Sequence, residues 1–463
     1  MKKYISIFVF SLITGILSSQ ETGKITTPQS GAAPVITVNQ ENILIHGNLE
    51  FTLDINANFP IVFDLPGWIT EKAGNNWVGG VKKYSFAVAQ YLEDTPSRED
   101  FVKIRAVNST LDIQPVSIPV MQISEKRVIR AKGNSTQLSF SLITGAGYTE
   151  SAEEIIANLK KANIQVVHMM GGNVWDGSFV KEGAEFLKAL EDNGIGVVWL
   201  FMGAGGGREL PDSWKSGTLK PCPKCNIYSF HNDEYVNWHV ERVKRVLVNY
   251  PSSIGVGMAE AFFHQWRSVY ADVSPFALEK FTKQYLNLER EALTFAEILQ
   301  DVELYKRWQD FRVDAIINFN QKIKDAIKSV NPDALYISWG IGVRGFSNAD
   351  IREHFGLDQE RIVRELEPDI FMIQTSAEDW TDSHLHPEYI KSYSYIVESL
   401  QKANPKVFLA VQTDISSASW LWKFDKRDGA WWKTFMDLSL SIGYYHNTAY
   451  DYFFYRRQGL WIE

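Results

Sequence analysis

Glu260 is the residue to weigh first. It closes the apolar run Gly255-Val256-Gly257-Met258-Ala259, so a carboxyl group stands directly after a stretch of strand length. A carboxyl at the end of a buried strand is partly desolvated, which favours its protonated form and suits it to donating a proton. Glu260 is therefore the expected general acid. The competing role is structural, an ion pair with Arg267 or Arg344. Paired-carboxylate chemistry needs a second acidic group, and Asp414, in Ala410-Val411-Gln412-Thr413-Asp414, is the preferred partner. Glu378 and Asp379, in Gln374-Thr375-Ser376-Ala377-Glu378-Asp379-Trp380, and Asp451 are the alternatives. Carboxyl groups ~5 to 5.5 Å apart would make the chemistry retaining, and ~6.5 to 9.5 Å apart inverting.

Aromatic residues make up 13% of the chain, more than a core alone requires. Trp175, Trp339, Trp380 and Trp420 fall at or just beyond strand-like runs, where flat faces can stack on pyranose rings. Asn173, Asp176, His264, Arg344, Gln374, His384, Gln412 and His446 offer hydrogen bonds to sugar hydroxyls in the same neighbourhood. The alternative for each tryptophan is packing between strands and loops. A carbohydrate is thus the expected partner. His264, His384 and His446 lack the spacing of a metal motif, so no metal or other cofactor is expected. No G-x-S-x-G elbow occurs to support serine chemistry.

Residues so placed need a scaffold of parallel strands. Eight strand-length runs are legible after Gln122: 138–143, 166–170, 197–202, 254–258, 335–339, 370–373, 407–411 and 444–448. Amphipathic helical patterns alternate with them, at 152–161, 179–192, 234–248, 313–329, 362–366, 389–402 and 431–441. An α/β architecture follows, a (β/α)8 TIM barrel, in which active sites lie on the loops after the strands. A doubly wound sheet is the alternative. It is disfavoured because no Gly-rich fingerprint follows the first strand, and Gly203 to Gly207 open a loop rather than a helix.

Before the barrel, short alternating segments at 35–38, 49–55, 61–65, 84–89, 101–107 and 116–121 describe a small all-β sandwich of about 90 residues. Lys2 and Lys3, an apolar run to Leu17, then Ser18 and Ser19 have the layout of a secretory signal peptide; a membrane anchor is the weaker alternative. The expected division is 1–19 signal peptide, 20–32 linker, 33–126 sandwich and 127–463 barrel, with no integral membrane segment once the signal is removed. Cys222 and Cys225, the two cysteines, would then be free thiols or a loop disulfide, zinc needing two more ligands. The net charge of -8, with no long basic run, argues against nucleic acid as a partner.

Two resemblances add to this. Leu65-Pro66-Gly67-Trp68-Ile69, Tyr84-Ser85-Phe86-Ala87-Val88, Arg98 and Ile118-Pro119-Val120-Met121-Gln122 resemble the BACON type of β-sandwich found at the N-termini of bacterial carbohydrate-active proteins, which implies a spacer or a sugar-binding module. Glu260 followed by Phe276-Ala277-Leu278-Glu279-Lys280-Phe281, Tyr285-Leu286, Lys306-Arg307-Trp308-Gln309-Asp310-Phe311-Arg312 and Ala326-Ile327-Lys328-Ser329-Val330-Asn331-Pro332 is similar to the family 42 β-galactosidase type of retaining glycoside hydrolase. That resemblance implies an acid/base glutamate after strand four, matched by Glu260, and a nucleophilic glutamate ending strand seven. The chain departs from the family twice. Ala259 replaces the usual asparagine before the acid, and no glutamate ends strand seven. Gln412 keeps the shape of glutamate without its charge, so it can bind a hydroxyl but cannot attack an anomeric carbon. The sequence is accordingly expected to encode a secreted or periplasmic glycoside hydrolase. The alternatives are a barrel that binds glycan without cleaving it and, more remotely, a metal-dependent hydrolase.

Overall fold

A computed structural model describes residues 33–45, 49–75, 79–91, 97–108, 113–123, 136–141, 151–170, 181–203, 210–217, 227–263, 272–382, 384–415 and 427–450. The expected signal peptide and linker, Asn173, Trp175, Asp176, Cys222, Cys225, His264, Arg267, Trp420 and Asp451 lie outside these residues. The chain divides into two compact units, the first ending at Ile123.

Among the described residues the first unit contains eight strands in two sheets. One runs β1 (Ile36–Val38), β3 (Glu50–Ala57), β6 (Gly80–Val88), β5 (Ile69–Glu71); the other runs β2 (Ile43–Ile45), β8 (Val116–Ile123), β7 (Ser97–Ala106), β4 (Ile61–Asp64). Alternation places Leu53, Ile55, Tyr84, Phe86, Val102, Ile104, Ile118 and Val120 in one shared core, as a sandwich requires. Strands β2 and β5 were not expected. At three residues each they are too short to show a period. β2 also pairs parallel to β8, against the antiparallel pattern of the other pairings in this unit.

A polar knot ties the ends of β6, β7 and β8. Gln122 is 3% exposed, and its Oε1 accepts from Arg98 Nε at 2.9 Å and Nη2 at 2.6 Å. Its Nε2 and Arg98 Nη2 both donate to the Ala89 carbonyl, at 2.9 and 2.8 Å, while the guanidinium lies 4.4 Å over the Trp68 ring. Trp68, Arg98 and Gln122, far apart in sequence, thus share one contact.

In the second unit, parallel strands β9 (Thr136–Ser141), β10 (Val166–Met170), β11 (Gly196–Met202), β12 (Gly255–Ala259), β13 (Leu335–Gly342), β14 (Ile370–Thr375), β15 (Leu409–Asp414) and β16 (His446–Tyr450) pair in chain order. β16 returns to β9 through Asn447↔Thr136, which closes the sheet into a barrel. Alternate residues point to opposite faces. Val167, Met169, Val197, Trp199, Phe201, Val256, Met258, Phe371, Ile373, Leu409 and Val411 join the apolar shell between strands and helices. The opposite parity, including Leu200, Gly257, Trp339, Met372, Gln374, Gln412, Asp414 and Thr448, faces the lumen. A Cβ on Gly257 would stand 3.1 Å from Leu200 Cδ1 and 3.2 Å from Trp339 Nε1, so the glycine makes room for the indole.

Helices α1 (Ala152–Lys161), α2 (Lys181–Asp192) and α3 (Asp233–Asn249) follow the early strands. α1 starts where Ser151 and Glu154 form a reciprocal capping box. Between β12 and β13 come α4 (Pro275–Lys280), which runs into a π-turn, α5 (Phe295–Gln300) and the 29-residue α6 (Val302–Val330). Phe281, Phe295, Ile298, Trp308 and Phe311 give this excursion a core of its own. After β13 come α7 (Asn348–Phe355) and α8 (Gln359–Arg361). Later come α9 (Ala377–Thr381), α10 (Ser394–Ala403) and α11 (Gly429–Ser441). Among the described residues no helix is long and apolar enough to cross a membrane.

Replacing Gln122 with leucine leaves Arg98 and the Ala89 carbonyl short of a buried partner, which typically costs ~1 to 3 kcal/mol. Hydrogen-exchange mass spectrometry of full-length Gln122→Leu should show faster exchange in peptides of β6, β7 and β8 and unchanged exchange in β10 to β15; equal protection throughout would show that the knot carries no stability.

Candidate functional site

Strand β12 delivers Glu260 to the C-terminal end of the barrel, and the residue adopts φ +51. Left-handed backbone costs a non-glycine residue about 1 to 3 kcal/mol and persists only where the surroundings over-determine it. Both flanks are pinned. The Ala259 carbonyl accepts the Gly203 N–H at 2.6 Å, and a Cβ on Gly203 would fall 2.7 Å from Ala261 Cα, so only glycine lets the end of β11 pass this close. Beyond Glu260, Ala261, Phe262 and Phe263 are buried, Phe263 N–H donates to the Phe355 carbonyl at 2.9 Å, and Phe262 meets the Phe355 ring edge-on at 5.5 Å.

The carboxylate itself is held from β14, where Gln374 Nε2 donates to Glu260 Oε1 at 3.1 Å. Gln374 pairs in register with Gln412 of β15, so two neutral amides stand side by side on the lumen face. The apolar run ends at residue 411, which predicts a loop at Asp414. Instead β15 continues through Asp414, which has the parity of Gln412 and is fully buried. The reason is visible in the pairing, since Gln412 to Asp414 find partners in Thr448 to Tyr450 of β16.

A buried arginine braces this corner. Arg427, 2% exposed, donates through Nη1 to the Asp414 carbonyl at 2.5 Å and through Nη2 to the carbonyls of Asp379 and Asp382 at 2.8 and 3.3 Å. Glu378 is exposed on the first turn of α9, whereas its neighbour Asp379 is fully buried. Asp379 accepts from the Tyr393 hydroxyl and pairs with the guanidinium of Arg344. Burial raises its carboxyl above the ordinary range, and Tyr393 and Arg344 pull it part of the way back. Ser376 caps α9 and accepts the Asp379 N–H, so the Ser-x-x-Asp spacing was the sequence signal that distinguishes the two carboxylates.

The aromatics sit deeper than expected. Trp339 was placed at a strand end, but β13 runs three residues further to Gly342, which leaves the indole mid-strand and 1% exposed. Trp380 is 6% exposed, donates to Thr375 Oγ1 at 2.5 Å and stacks on Tyr450 at 5.9 Å. His446 was expected near the rim, yet it opens β16 at the opposite end because that strand spans 446–450 rather than 444–448. His384 is exposed, and Arg344 keeps 42% of its side chain exposed beside Asp379.

The loops after β11 and β12 are clasped by Asp272, a residue the sequence did not single out. Fully buried at φ +67, it accepts from Ser229 Oγ and, at 2.9 Å, from Ser274 Oγ, while its N–H donates to the Gly217 carbonyl at 2.9 Å. Burial pushes its carboxyl up to about 6, against the lowering effect of these donors. His231 Nε2 lies 3.8 Å away, but burial, then Lys280 and Arg312, hold that imidazole well below its ordinary value, so it is neutral. Among the described residues no three His, Cys, Asp or Glu side chains converge as a bound metal would require.

A carboxyl whose folded pKa is raised binds its proton more tightly when folded, so its contribution to stability is present at low pH and is lost as pH climbs through the folded value. Between about pH 4 and 6 the native protein should therefore lose on the order of 2 to 3 kcal/mol relative to Asp272→Asn in chemical denaturation. Buried His168, His231 and His239, whose depressed values carry the opposite sign, are common to both proteins and cancel in the difference. Parallel stability curves would refute the assignment.

No protein-family model matches the sequence, and no curated protein matches it. Among solved structures, the glycoside hydrolase domain of PgaB (BpsB) from Bordetella bronchiseptica is similar with a TM-score of 0.53 at 12% identity, over 70% of this chain and 95% of that one. The β-galactosidase of the psychrophilic Marinomonas ef1 gives 0.49 at 14% identity, over 69% of this chain and 54% of its own. That of the Antarctic haloarchaeon Halorubrum lacusprofundi gives 0.46 at 12%, over 69% and 52%. The chain thus spans about half the length of these two β-galactosidases. At such identities the likeness is one of fold, and the fold is that of a glycoside hydrolase domain.

Proposed function

We propose that the protein is a secreted or periplasmic glycoside hydrolase that cleaves an oligo- or polysaccharide, with Glu260 as the proton donor. The observation that carries this is the glutamate held at φ +51 at the end of β12, in a barrel whose fold is that of a glycoside hydrolase domain. Strain of this kind clusters at functional sites. Asp414 is the partner carboxylate that activates the attacking nucleophile. It shares the lumen face with Gln374 and Gln412, whereas the exposed side chain of Glu378 directs its charge to solvent. Gln374 and Gln412 bind sugar hydroxyls, with Arg344 and Trp380 above them and Trp339 beneath. Asn173, Trp175, His264 and Trp420 complete the sugar site in this proposal. The family 42 type of activity, a β-galactoside substrate and a BACON-like role for the sandwich rest on the sequence resemblances alone.

A second reading is favoured by Gln412, which stands in β15 as a neutral isostere where the resembling family carries its nucleophile. In that reading the barrel binds glycan without cleaving it.

Mass spectrometry of products released from plant, algal and host glycans separates the two. The mature protein should release oligosaccharide, and Glu260→Gln should release at least ~100-fold less, the contribution of a positioned acid. Glycan binding by both proteins with no release by either would establish the second reading instead.

A further inference from the structure

We propose that Gln374 is a positioning residue for Glu260, an amide supplied from β14 that orients the carboxyl and decides which of its oxygens carries the proton. The inference rests on Glu260 being the proton donor. The residue before the acid is Ala259, which has no polar side chain to assist it. The donor comes instead from two strands away, where Gln374 Nε2 reaches Glu260 Oε1 at 3.1 Å.

The geometry fixes the amide's sense. The N–H end faces Glu260 and serves its ionised form, which offers only acceptors, and Oε1 of the glutamine is turned away. That Oε1 is buried with no hydrogen-bond partner among the described residues, and a buried carbonyl oxygen left so is in want of a donor such as a sugar hydroxyl. One amide therefore meets the acid with one end and faces the lumen with the other. Neighbouring strands hold it: its Cα is in register with Ile341 of β13 and Gln412 of β15, and Thr375 Oγ1, one residue on, donates to the Gln412 carbonyl at 3.1 Å.

With Oε1 occupied by the amide N–H, the transferable proton resides on Oε2. It passes to the glycosidic oxygen as the bond from that oxygen to the anomeric carbon breaks, the bonding electrons leaving with the oxygen. Water supplies the hydroxyl that ends on the anomeric carbon, and its remaining proton leaves through the second carboxylate. Glu260 is then ionised, and the Gln374 N–H stabilises the charge just formed. The other ionisable side chains on the lumen parity are His168 of β10, Asp414 of β15 and His446 and Tyr450 of β16, with Asp379 and Arg344 in the loops after β14 and β13.

Gln374→Met removes the donor at similar volume, and Gln374→Glu replaces it with a like charge at the same length. Carboxyl-13C NMR titration, with the Glu260 resonance assigned by its absence in Glu260→Gln, should place the midpoint about one pH unit higher in Gln374→Met and higher again in Gln374→Glu. In hydrolysis of phenyl β-D-galactopyranoside, kcat of Gln374→Met should fall about 10- to 100-fold, KM should rise as the sugar-facing Oε1 is lost, and the alkaline limb of the pH profile should move up with the NMR midpoint. A Glu260 titration unmoved in both variants, each melting within a few degrees of the native protein, would overturn the proposal. Absence of hydrolysis by the native protein would count against a β-galactoside substrate and leave the NMR titration to decide the role of Gln374.

Discussion

The site depends on a backbone conformation that Glu260 would not adopt by itself. Left-handed φ is unfavourable for a residue with a β-carbon, so the protein must hold it from both sides. It does so with a carbonyl clamped by Gly203 before the glutamate and three buried residues, Ala261, Phe262 and Phe263, after it. The clamps belong to three separate segments: the end of β11, the end of β12 and the last residue of α7. With the backbone held in this way, the hydrogen bond from Gln374 acts on a carboxyl whose starting point is already fixed. Precision here comes from the packing of the barrel's end rather than from the glutamate or its immediate neighbours.

The surroundings divide charge unevenly. On the lumen face of β14 and β15 the register sets two neutral amides together, and the buried carboxylate of Asp414 follows one pleat further along. The two buried cationic and acidic groups nearest the rim serve the loops. Arg427 spends its donors on three backbone carbonyls, and Asp379 is bound to Tyr393 and Arg344. A buried arginine that bonds carbonyls rather than carboxylates ties the end of β15 to α9 and the residue that caps it. Asp272 does comparable work for the loops after β11 and β12, with two serine hydroxyls as its partners. The loops at this end of the barrel are thus braced by buried polar groups.

Much of the architecture was legible because it depends on period. Helices and strands of the barrel announce themselves by apolar spacing, and six of the described sandwich strands by alternation. Strands β2 and β5, three residues each, carry no such signal and owe their existence to a partner. Boundaries failed for the same reason. Strand β13 extends past Trp339 and β15 past Val411 because neighbouring strands offer hydrogen bonds there, and those extensions moved Trp339 below the rim and Asp414 into the sheet.

By itself, the sequence determined that a carboxyl would close the fourth barrel strand, that no glutamate would close the seventh, and that parallel strands and helices would alternate after a β-rich start. Each of these is a local property, set by residue type and spacing along the chain. Only the tertiary structure decided that Glu260 takes a left-handed backbone and that it accepts a hydrogen bond from Gln374, 114 residues away. Those outcomes depend on which strands become neighbours and in what register, and register is a property of the closed sheet, set by the packing of all its strands at once.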